Sequence, residues 1–302
     1  MSVITTGSFA KAMWPGVNAW YGKAYNDYAV EYTELFDTHK SNKGWEEDVG
    51  VSSFGLAVQK AEGAPIAYDT ERQGWIDRYQ HVVFALGFII TKEAFDDDQY
   101  EIVGKRKANG LARSMRQTKE IVGANVYNRA FNAAFTFGDG VSLINAAHPN
   151  IAGGTWSNQI GTAADLSEAA IEQACIDIAG FTDDRGLLIA ARPKSLIIPR
   201  QLIYEAKRIL GSEHRVGTDN NDINALKTMG AVPKVVTNHY LTDTDAWFIR
   251  TDVSEGMKYF EREADSFDMD NDVDTRNAKY LAFSRYSFGA SDKRAIYGSA
   301  GA

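Results

Sequence analysis

The sequence has almost no cysteine, little proline and no long apolar run. It contains 302 residues, of which one is a cysteine, Cys175, and six are prolines. A single cysteine excludes an intramolecular disulfide and is typical of a protein that folds in a reducing compartment. The apolar runs stay below the roughly 18 residues that cross a membrane, and the opening MSVITTGSFA lacks the basic and apolar regions of a secretory signal. We therefore expect no membrane partner and a fold that is stabilised by packing or by assembly.

Motifs for catalysis and for cofactor binding are also missing. The five histidines have neither HExxH nor His-x-His spacing, so a zinc site has little support. The segment FGDGVSL has two glycines without the spacing of a phosphate-binding loop, and no GxSxG elbow occurs. Cys175 falls on the apolar stripe of its predicted helix and is interpreted as a small core residue. We predict no enzyme, no catalytic residue and no cofactor.

One acidic segment, DSFDMDNDVD, has the alternation of a calcium loop. Its weak metal candidates are Asp268, Asp270 and Asp272. However, Val273 stands where a calcium loop has its turn glycine, and Lys279 stands where the bidentate glutamate belongs. A solvated acidic turn between strands is therefore the favoured interpretation. A metal-dependent hydrolase built on this segment is a more distant alternative, disfavoured because no general base or nucleophile accompanies it.

Acidic residues outnumber basic residues by 40 to 32, although one predicted helix is rich in basic ones. The formal net charge is −8, which argues against a dedicated nucleic-acid-binding protein. The exception is a predicted helix with six basic residues, namely Lys105, Arg106, Lys107, Arg113, Arg116 and Lys119. Because aromatic residues do not alternate with them, we interpret these residues as a solvated or salt-bridged helix face and not as a stacking surface for nucleic acid.

The first half of the chain predicts three unusual elements. Residues 1–40 are rich in aromatic side chains at helical spacing, which indicates either a helix packed on its own domain or an arm lying on a neighbouring subunit. Two alternating runs around a Gly/Pro break at 63–65 predict an extended β-hairpin. An apolar series that steps by threes and fours then predicts a helix over about 97–135, which is far longer than a typical globular helix.

The second half of the chain has the pattern of a small mixed unit followed by returning strands. Asp165 and Glu168 have capping-box spacing and predict the start of a helix. Runs at 187–190 and 195–199 predict short strands, RQLIYEAKRILG predicts a helix, and residues 212–224 predict a polar loop. The segments AWFIRT, GMKYFERE and NAKYLAFSRYSFG read as further strands. This order of elements is α+β, with the small mixed unit inserted into a larger one.

Two parts of the chain resemble a known family. The string VDTRNAKYLAFSRYSFGASDKRAIYGS resembles the C-terminal segment of tailed-phage major capsid proteins, in which a strand with an RY-x-x-G-like element is followed by Asp and a short apolar close. The matching residues are Arg285, Tyr286, Gly289, Asp292, Arg294 and Ile296. In the middle, GDGVSLINAAHPN, LSEAAIEQA and DDRGLLIAARPKSLIIPRQLIYEAKRIL are similar to the Mu-like major head subunit group.

The resemblance implies the Hong Kong 97 type coat fold, an α+β architecture of four parts. These are an N-terminal arm at 1–40, an extended β-hairpin loop at 41–92, a peripheral domain with a long spine helix at 93–160 and 241–302, and an axial domain at 161–240. The projecting hairpin, the over-long helix and the inserted unit that the residue pattern predicts agree with this division.

The same resemblance implies a major capsid protein that assembles into hexamers and pentamers of an icosahedral shell around double-stranded DNA. Its implied partners are further copies of itself, a separate scaffolding protein, a portal and a possible decoration protein, and it would enclose DNA without sequence-specific binding. The expected location is the virion, after assembly in the cytoplasm of a bacterial host. An encapsulin-like nanocompartment shell is the alternative within the same fold.

Assembly of that kind needs side chains that meet other subunits. The candidates lie in the arm, the hairpin and the C-terminal segment, and they are Trp14, Trp20, Trp45, Phe54, Trp75, Arg285, Tyr286, Asp292 and Arg294. Among them, Arg285 and Arg294 are expected to pair with acidic groups near the subunit contacts.

Overall fold

The helices include one very long element and several short ones. A computed structural model describes residues 7–91, 93, 100–215, 222–271 and 277–302. Within these residues the helices are α1 (Gly7–Asp27), α2 (Tyr32–Leu35), α3 (Tyr100–Asn128), α4 (Glu168–Ala179), α5 (Ile203–Gly211) and α6 (Ala225–Met229). None of the helices in the described part is both long and apolar enough to pass through a bilayer.

The strands form two four-stranded sheets and two small pairs. They are β1 (Asp37–Lys40), β2 (Trp45–Val51), β3 (Gln73–Gln80), β4 (Val82–Ile90), β5 (His148–Pro149), β6 (Thr155–Trp156), β7 (Pro193–Pro199), β8 (Val235–Asn238), β9 (Trp247–Thr251), β10 (Met257–Asn271), β11 (Ala278–Ala290) and β12 (Ile296–Ser299). The first sheet has the order β1-β10-β11-β4 and the second the order β12-β9-β7-β8, while β2 pairs with β3 and β5 with β6. The predicted α+β class is confirmed.

Helix α3 is the long helix that the sequence predicts, but it ends earlier than expected. It has 29 residues, which corresponds to roughly 43 Å at 1.5 Å per residue. The prediction extended it to about 135, whereas it ends at Asn128 and its predicted first residues lie outside the described part. The end follows from side-chain bonds, because Asn128 donates to the Tyr240 carbonyl at 3.1 Å and accepts from the Thr242 amide at 3.0 Å.

Helix α1 lies along α3 in the single chain. Its side chains Val17 and Tyr21 are buried in the same apolar cluster as Leu111 and Met115 of α3. Tyr21 also stacks on Phe267 of β10, with ring centroids 4.3 Å apart. Of the two interpretations of residues 1–40, the helix packed on its own chain is therefore the arrangement observed.

The second sheet joins parts of the chain that the sequence prediction separated. Strand β7 pairs with β8 on one side and with β9 on the other, and β9 pairs with β12. The predicted boundary at residue 241 is wrong for this sheet, because β9 and β12 come from the segment assigned to the other domain. The physical reason is burial, since Leu196, Ile197 and Ile198 are fully buried and the strand that carries them needs a neighbour on both edges.

Two local predictions in this unit are also wrong. The N-cap of α4 is Ser167, whose hydroxyl accepts from the Ala170 amide at 3.2 Å, and not Asp165. Residues 187–190 form no strand, because the Asp183 carboxylate accepts from the amides of Arg185 and Leu187 and holds this stretch in a turn.

Candidate functional site

Several large apolar side chains are exposed on the hairpin of β2 and β3 and on the segment 52–72 that joins them. Leu56 is 78% exposed, Val58 69%, Ile66 65% and Tyr68 93%. Single exposed apolar side chains are ordinary, but a group of this size in one segment is typical of a surface that meets another protein. We call residues 52–72 the hairpin tip.

The hairpin is shorter than the sequence predicts. Its pairing extends from Trp45 opposite Gln80 to Val51 opposite Gln73, and the strand-like run that starts at residue 74 divides at His81. The His81 ring is buried and bonds to the hydroxyls of Ser287 and Ser41 at 2.9 and 3.1 Å. Beyond it, β4 leaves the hairpin and pairs with β11 in the first sheet, so the predicted extended loop at 41–92 includes a strand that belongs to the body.

Strand β2 is fastened to the body by an ion pair whose lysine is buried and whose carboxylate is partly exposed. The Asp48 carboxylate accepts from Lys258 of β10 at 2.6 Å and from the Ser291 hydroxyl at 2.5 Å. Lys258 is 4% exposed and also pairs with Glu255. Burial raises the pKa of Asp48, but the bonds from Lys258 and Ser291 outweigh it and leave that pKa below its ordinary value.

Strand β3 is fastened by a second ion pair, in which both side chains are buried. The Asp77 carboxylate accepts from Lys293 at 2.5 Å and from the Gly138 amide at 2.7 Å. Lys293 is 3% exposed, and its ammonium lies 5.3 Å from the centre of the Phe137 ring. Burial raises the pKa of the Asp77 carboxyl in spite of the cation beside it. The hairpin is thus attached to the body on both strands, and we call the pairs Asp48–Lys258 and Asp77–Lys293 the hairpin anchors.

A cavity of about 280 Å³ lies between the hairpin and the body. Both hairpin anchors line it, together with Trp75, Asp139 and Arg294. Its charged groups already have partners inside the chain, since Asp139 bonds to His148 at 2.7 Å. Among the described residues there is no group of three or more His, Cys, Asp or Glu side chains that could hold a metal ion.

Two predicted subunit contacts lie in the interior instead. Tyr286 is 1% exposed and stacks on Phe84 of β4, with ring centroids 4.6 Å apart. Arg294 is 8% exposed; it donates to the Thr182 carbonyl at 2.7 Å and to the Asp184 carboxylate at 3.1 Å. For both residues the prediction is wrong, because their partners belong to the same chain and burial leaves them no surface to offer.

The other two candidates of the C-terminal segment also make bonds within the chain. Asp292 caps a short 3-10 turn by accepting from the Arg294 amide at 2.9 Å. Arg285 is half-buried and donates to the carbonyls of His81 at 3.4 Å and Gly44 at 3.5 Å, both beside the hairpin. These two residues therefore support the base of the hairpin within the subunit.

The hairpin candidates remain at or near the surface. Trp45 and Phe54 are exposed, and the Arg78 guanidinium lies 4.8 Å from the centre of the Trp45 ring. Trp75 is half-buried at the cavity. Trp20 is half-buried against the α1–α3 cluster, and the side chain of Trp14 lies outside the described residues.

The acidic segment is a strand over most of its described length. Asp268 and Asp270 are exposed on β10 and lie opposite Leu281 and Lys279 of β11. Asp272 lies outside the described residues. The prediction of a turn that begins at Asp268 is wrong, because β10 continues to Asn271 and its alternation buries Phe267 against the core.

Comparison with known proteins identifies relatives of this fold. A family model described as phage capsid protein matches residues 76–299, while no curated protein matches the sequence. The procapsid of bacteriophage JBD30 superimposes with a TM-score of 0.54 at 14% identity, over 98% of this chain and 76% of that chain. The capsid of a native GTA particle gives 0.54 at 14% identity, over 89% of each chain.

A third solved structure is the capsid of Myoviridae phage XM1, with a TM-score of 0.52 at 11% identity over 91% of this chain and 93% of that chain. Identities this low carry information about the fold alone. Together with the family match, they confirm the predicted tailed-phage coat fold of the Hong Kong 97 type.

Proposed function

The chain belongs to the phage capsid protein family and is a structural protein, not an enzyme; on this premise we propose that it is the major capsid subunit of a tailed phage. In this proposal the subunit assembles with copies of itself into hexamers and pentamers of an icosahedral shell, and the shell encloses double-stranded DNA. Assembly takes place in the cytoplasm of a bacterial host, and the subunit remains in the virion.

The observation that carries the proposal is an apolar hairpin tip on a firmly attached hairpin. Leu56, Val58, Ile66 and Tyr68 each expose about two thirds or more of their surface in the single chain, which is unfavourable in water at roughly 25 cal/mol per Å². A neighbouring copy that covers the tip removes this cost. The hairpin anchors hold both strands at their base, so the direction in which the hairpin projects from the body is fixed before it docks.

The four-part division of the fold remains part of the proposal in a revised form. The hairpin at 45–80 is the loop that lies on a neighbouring subunit, and α1 is the N-terminal arm. The axial unit at 161–240 is completed by β9 and β12. The exposed candidates Trp45 and Phe54 are kept as subunit contacts. A separate scaffolding protein, a portal and a possible decoration protein are the further partners.

The test removes the hairpin tip and leaves the hairpin. In one variant residues 54–70 are replaced by Asn-Gly, which keeps the paired ends, where the Ser52 amide donates to the Arg72 carbonyl at 2.9 Å. A second variant keeps the length of the tip and changes Leu56, Val58, Ile66 and Tyr68 to Ser. Both variants should fold, as checked by circular dichroism and urea unfolding, and both should fail to form round particles in negative-stain electron microscopy.

Normal shells from either folded variant would contradict the role of the hairpin tip. The content of wild-type particles separates the two shell functions, because DNA inside supports a phage head, and protein cargo inside supports an encapsulin-like compartment. Tubes, rings or monomers of the wild-type chain would contradict both.

A further inference from the structure

Helix α3 carries a group of exposed cations near its N-terminal end. Lys105, Arg106, Lys107 and Arg113 are all exposed, and none of them forms an ion pair with any residue that the structure describes. Lys107 donates to the Ile89 carbonyl at 3.1 Å. We call these four residues the basic stripe.

Some cations elsewhere in the chain lie beside a carboxylate, whereas the four residues of the basic stripe have no carboxylate partner among the described residues. Arginines and lysines with such partners are Lys43, Arg78, Arg185, Arg208, Arg215, Lys234, Arg250, Lys258, Lys293 and Arg294. In a chain with a net charge of −8, four cations between residues 105 and 113, with no ion-pair partner among the described residues, make the local potential positive.

The geometry of α3 places the two arginines of the basic stripe on one side of the helix. Arg106 and Arg113 are seven residues apart, which is two helical turns, so their side chains project from the same side about 10 Å apart. Gly110 lies between them, and a side-chain carbon built on it meets no atom within 4 Å. The backbone of the helix is therefore open to a bulky anion between the two arginines.

The chemistry of this surface fits phosphate better than protein. Between residues 105 and 113 the exposed side chains are Lys105, Arg106, Lys107, Asn109 and Arg113, with no apolar one among them. A protein partner normally needs an apolar centre at the interface, whereas contacts to a nucleic-acid backbone are made by Arg, Lys and Asn in a polar, wet interface.

We propose that the basic stripe of α3 binds the phosphate backbone of duplex DNA. The inference rests on the proposed function, because a subunit that encloses DNA turns one face toward it, and it assigns that face to α3. Contacts to phosphate carry no sequence information, so the binding is independent of sequence. The alternative is the interpretation of this helix face as solvated or salt-bridged.

The test measures binding of the unassembled full-length subunit to a fluorescent duplex on the order of 20 base pairs, as salt is varied. Four phosphate contacts give a slope of about −3.6 in log K against log salt, or roughly 150-fold weaker binding at 200 mM than at 50 mM. The double variant R106Q/R113Q should reduce the slope to about −1.8, so its binding should weaken only roughly 12-fold between 50 mM and 200 mM salt. R106K/R113K keeps the charge and should bind as the wild type does.

The matched control is R200Q/R208Q, which removes two exposed arginines elsewhere and makes the same change in net charge. It should leave the slope unchanged. A slope that falls equally in both double variants, or in neither, would overturn the assignment of the basic stripe. Binding of polyglutamate as tight as binding of the duplex would also overturn it, in favour of an acidic protein partner.

Shell formation is followed in parallel by electron microscopy. If the wild type forms no shells, the proposed function is contradicted, whatever the DNA-binding measurements show. If it forms shells and R106Q/R113Q binds DNA like the wild type, only the assignment of the basic stripe fails.

Discussion

At the scale of single residues, two buried lysines decide how the hairpin is attached. A buried charge that loses its partner costs on the order of 3–5 kcal/mol, because it remains desolvated and unpaired. Lys258 and Lys293 are each buried and each face a hairpin carboxylate, Asp48 and Asp77 respectively. If the hairpin left the body, Lys293 would lose its one carboxylate partner among the described residues, and Lys258 would keep only Glu255.

The Asp48–Lys258 pair should make the free energy of unfolding depend on pH. The folded pKa of Asp48 is below its ordinary value, and an unfolded Asp has a pKa of about 3.9. Its ionised form thus contributes stability that is present above about pH 4 and is lost as pH falls through the lower folded pKa. Asp48→Asn lacks this contribution, so its free energy of unfolding should be lower at pH 6 and should decline less between about pH 4 and 3.

Urea unfolding followed by tryptophan fluorescence at a series of pH values checks this. Asp268→Asn, an exposed carboxylate on β10, makes the same change in net charge and serves as the control. A pH profile of Asp48→Asn parallel to that of the wild type would show that the pair contributes nothing to the acid sensitivity.

At the scale of elements, the start of α4 offers a sharp comparison of two neighbouring residues. Capping-box spacing favours Asp165, yet the hydroxyl of Ser167 is the group that bonds to the Ala170 amide, and Asp165 accepts from the Ala302 amide instead. Loss of an N-cap bond costs about 1 kcal/mol. Ser167→Ala should therefore lower the free energy of unfolding by about that amount, and Asp165→Ala by clearly less.

Urea unfolding of the two alanine variants at neutral pH measures both values against the wild type. The cap assignment is wrong if Asp165→Ala is the more destabilising substitution of the two.

Most helices and strands can be predicted from the local sequence pattern. The elements that cannot be predicted depend on contacts with residues far away in the sequence. The periodicity of α3 and the apolar run of β7 predict both elements, because each buries one set of side chains against a core. The alternation of the run from residue 74 onward continues across β3 and β4, so the local sequence does not indicate that the run divides into two strands at His81. It depends on Ser287, which lies 206 positions away in the sequence.

The hairpin anchors are invisible to sequence analysis for the same reason. Lys258 and Asp48 are separated by 210 positions, and each lies alone in an ordinary strand pattern. The exposed hairpin and the absence of a catalytic motif could be predicted from the sequence, whereas the groups that orient the hairpin could not. The C-terminal motif predicts Arg294 and Tyr286 as subunit contacts, because a sequence motif carries no information on whether its side chains are buried.

At the scale of the whole molecule, the hairpin tip should respond to assembly. Between Leu56 and Ile66, all of which the structure describes, the backbone makes one hydrogen bond, from the Ala64 amide to the Ala61 carbonyl. In isolated subunits trypsin should therefore cleave rapidly after Lys60. In assembled particles a neighbouring copy should cover the tip and slow this cleavage at least about tenfold.

Mass spectrometry of timed digests identifies the cut at Lys60. The variant with four serines in the tip retains Lys60 and should be cleaved at the fast rate even at concentrations at which the wild type assembles. Equal rates for free and assembled wild-type subunits would contradict burial of the tip.

The strand order of both large sheets also determines when each sheet can form during protein synthesis. Strand β4 can pair only after β11 has been synthesised. Strand β7 likewise gains its second neighbour only with β9, and β9 in turn pairs with β12, with Trp247 opposite Ser299. A nascent chain that has emerged from the ribosome only as far as β8 has unfinished edges in both sheets, and sheets that depend on such distant partners form slowly. An incompletely translated subunit thus lacks both finished sheets.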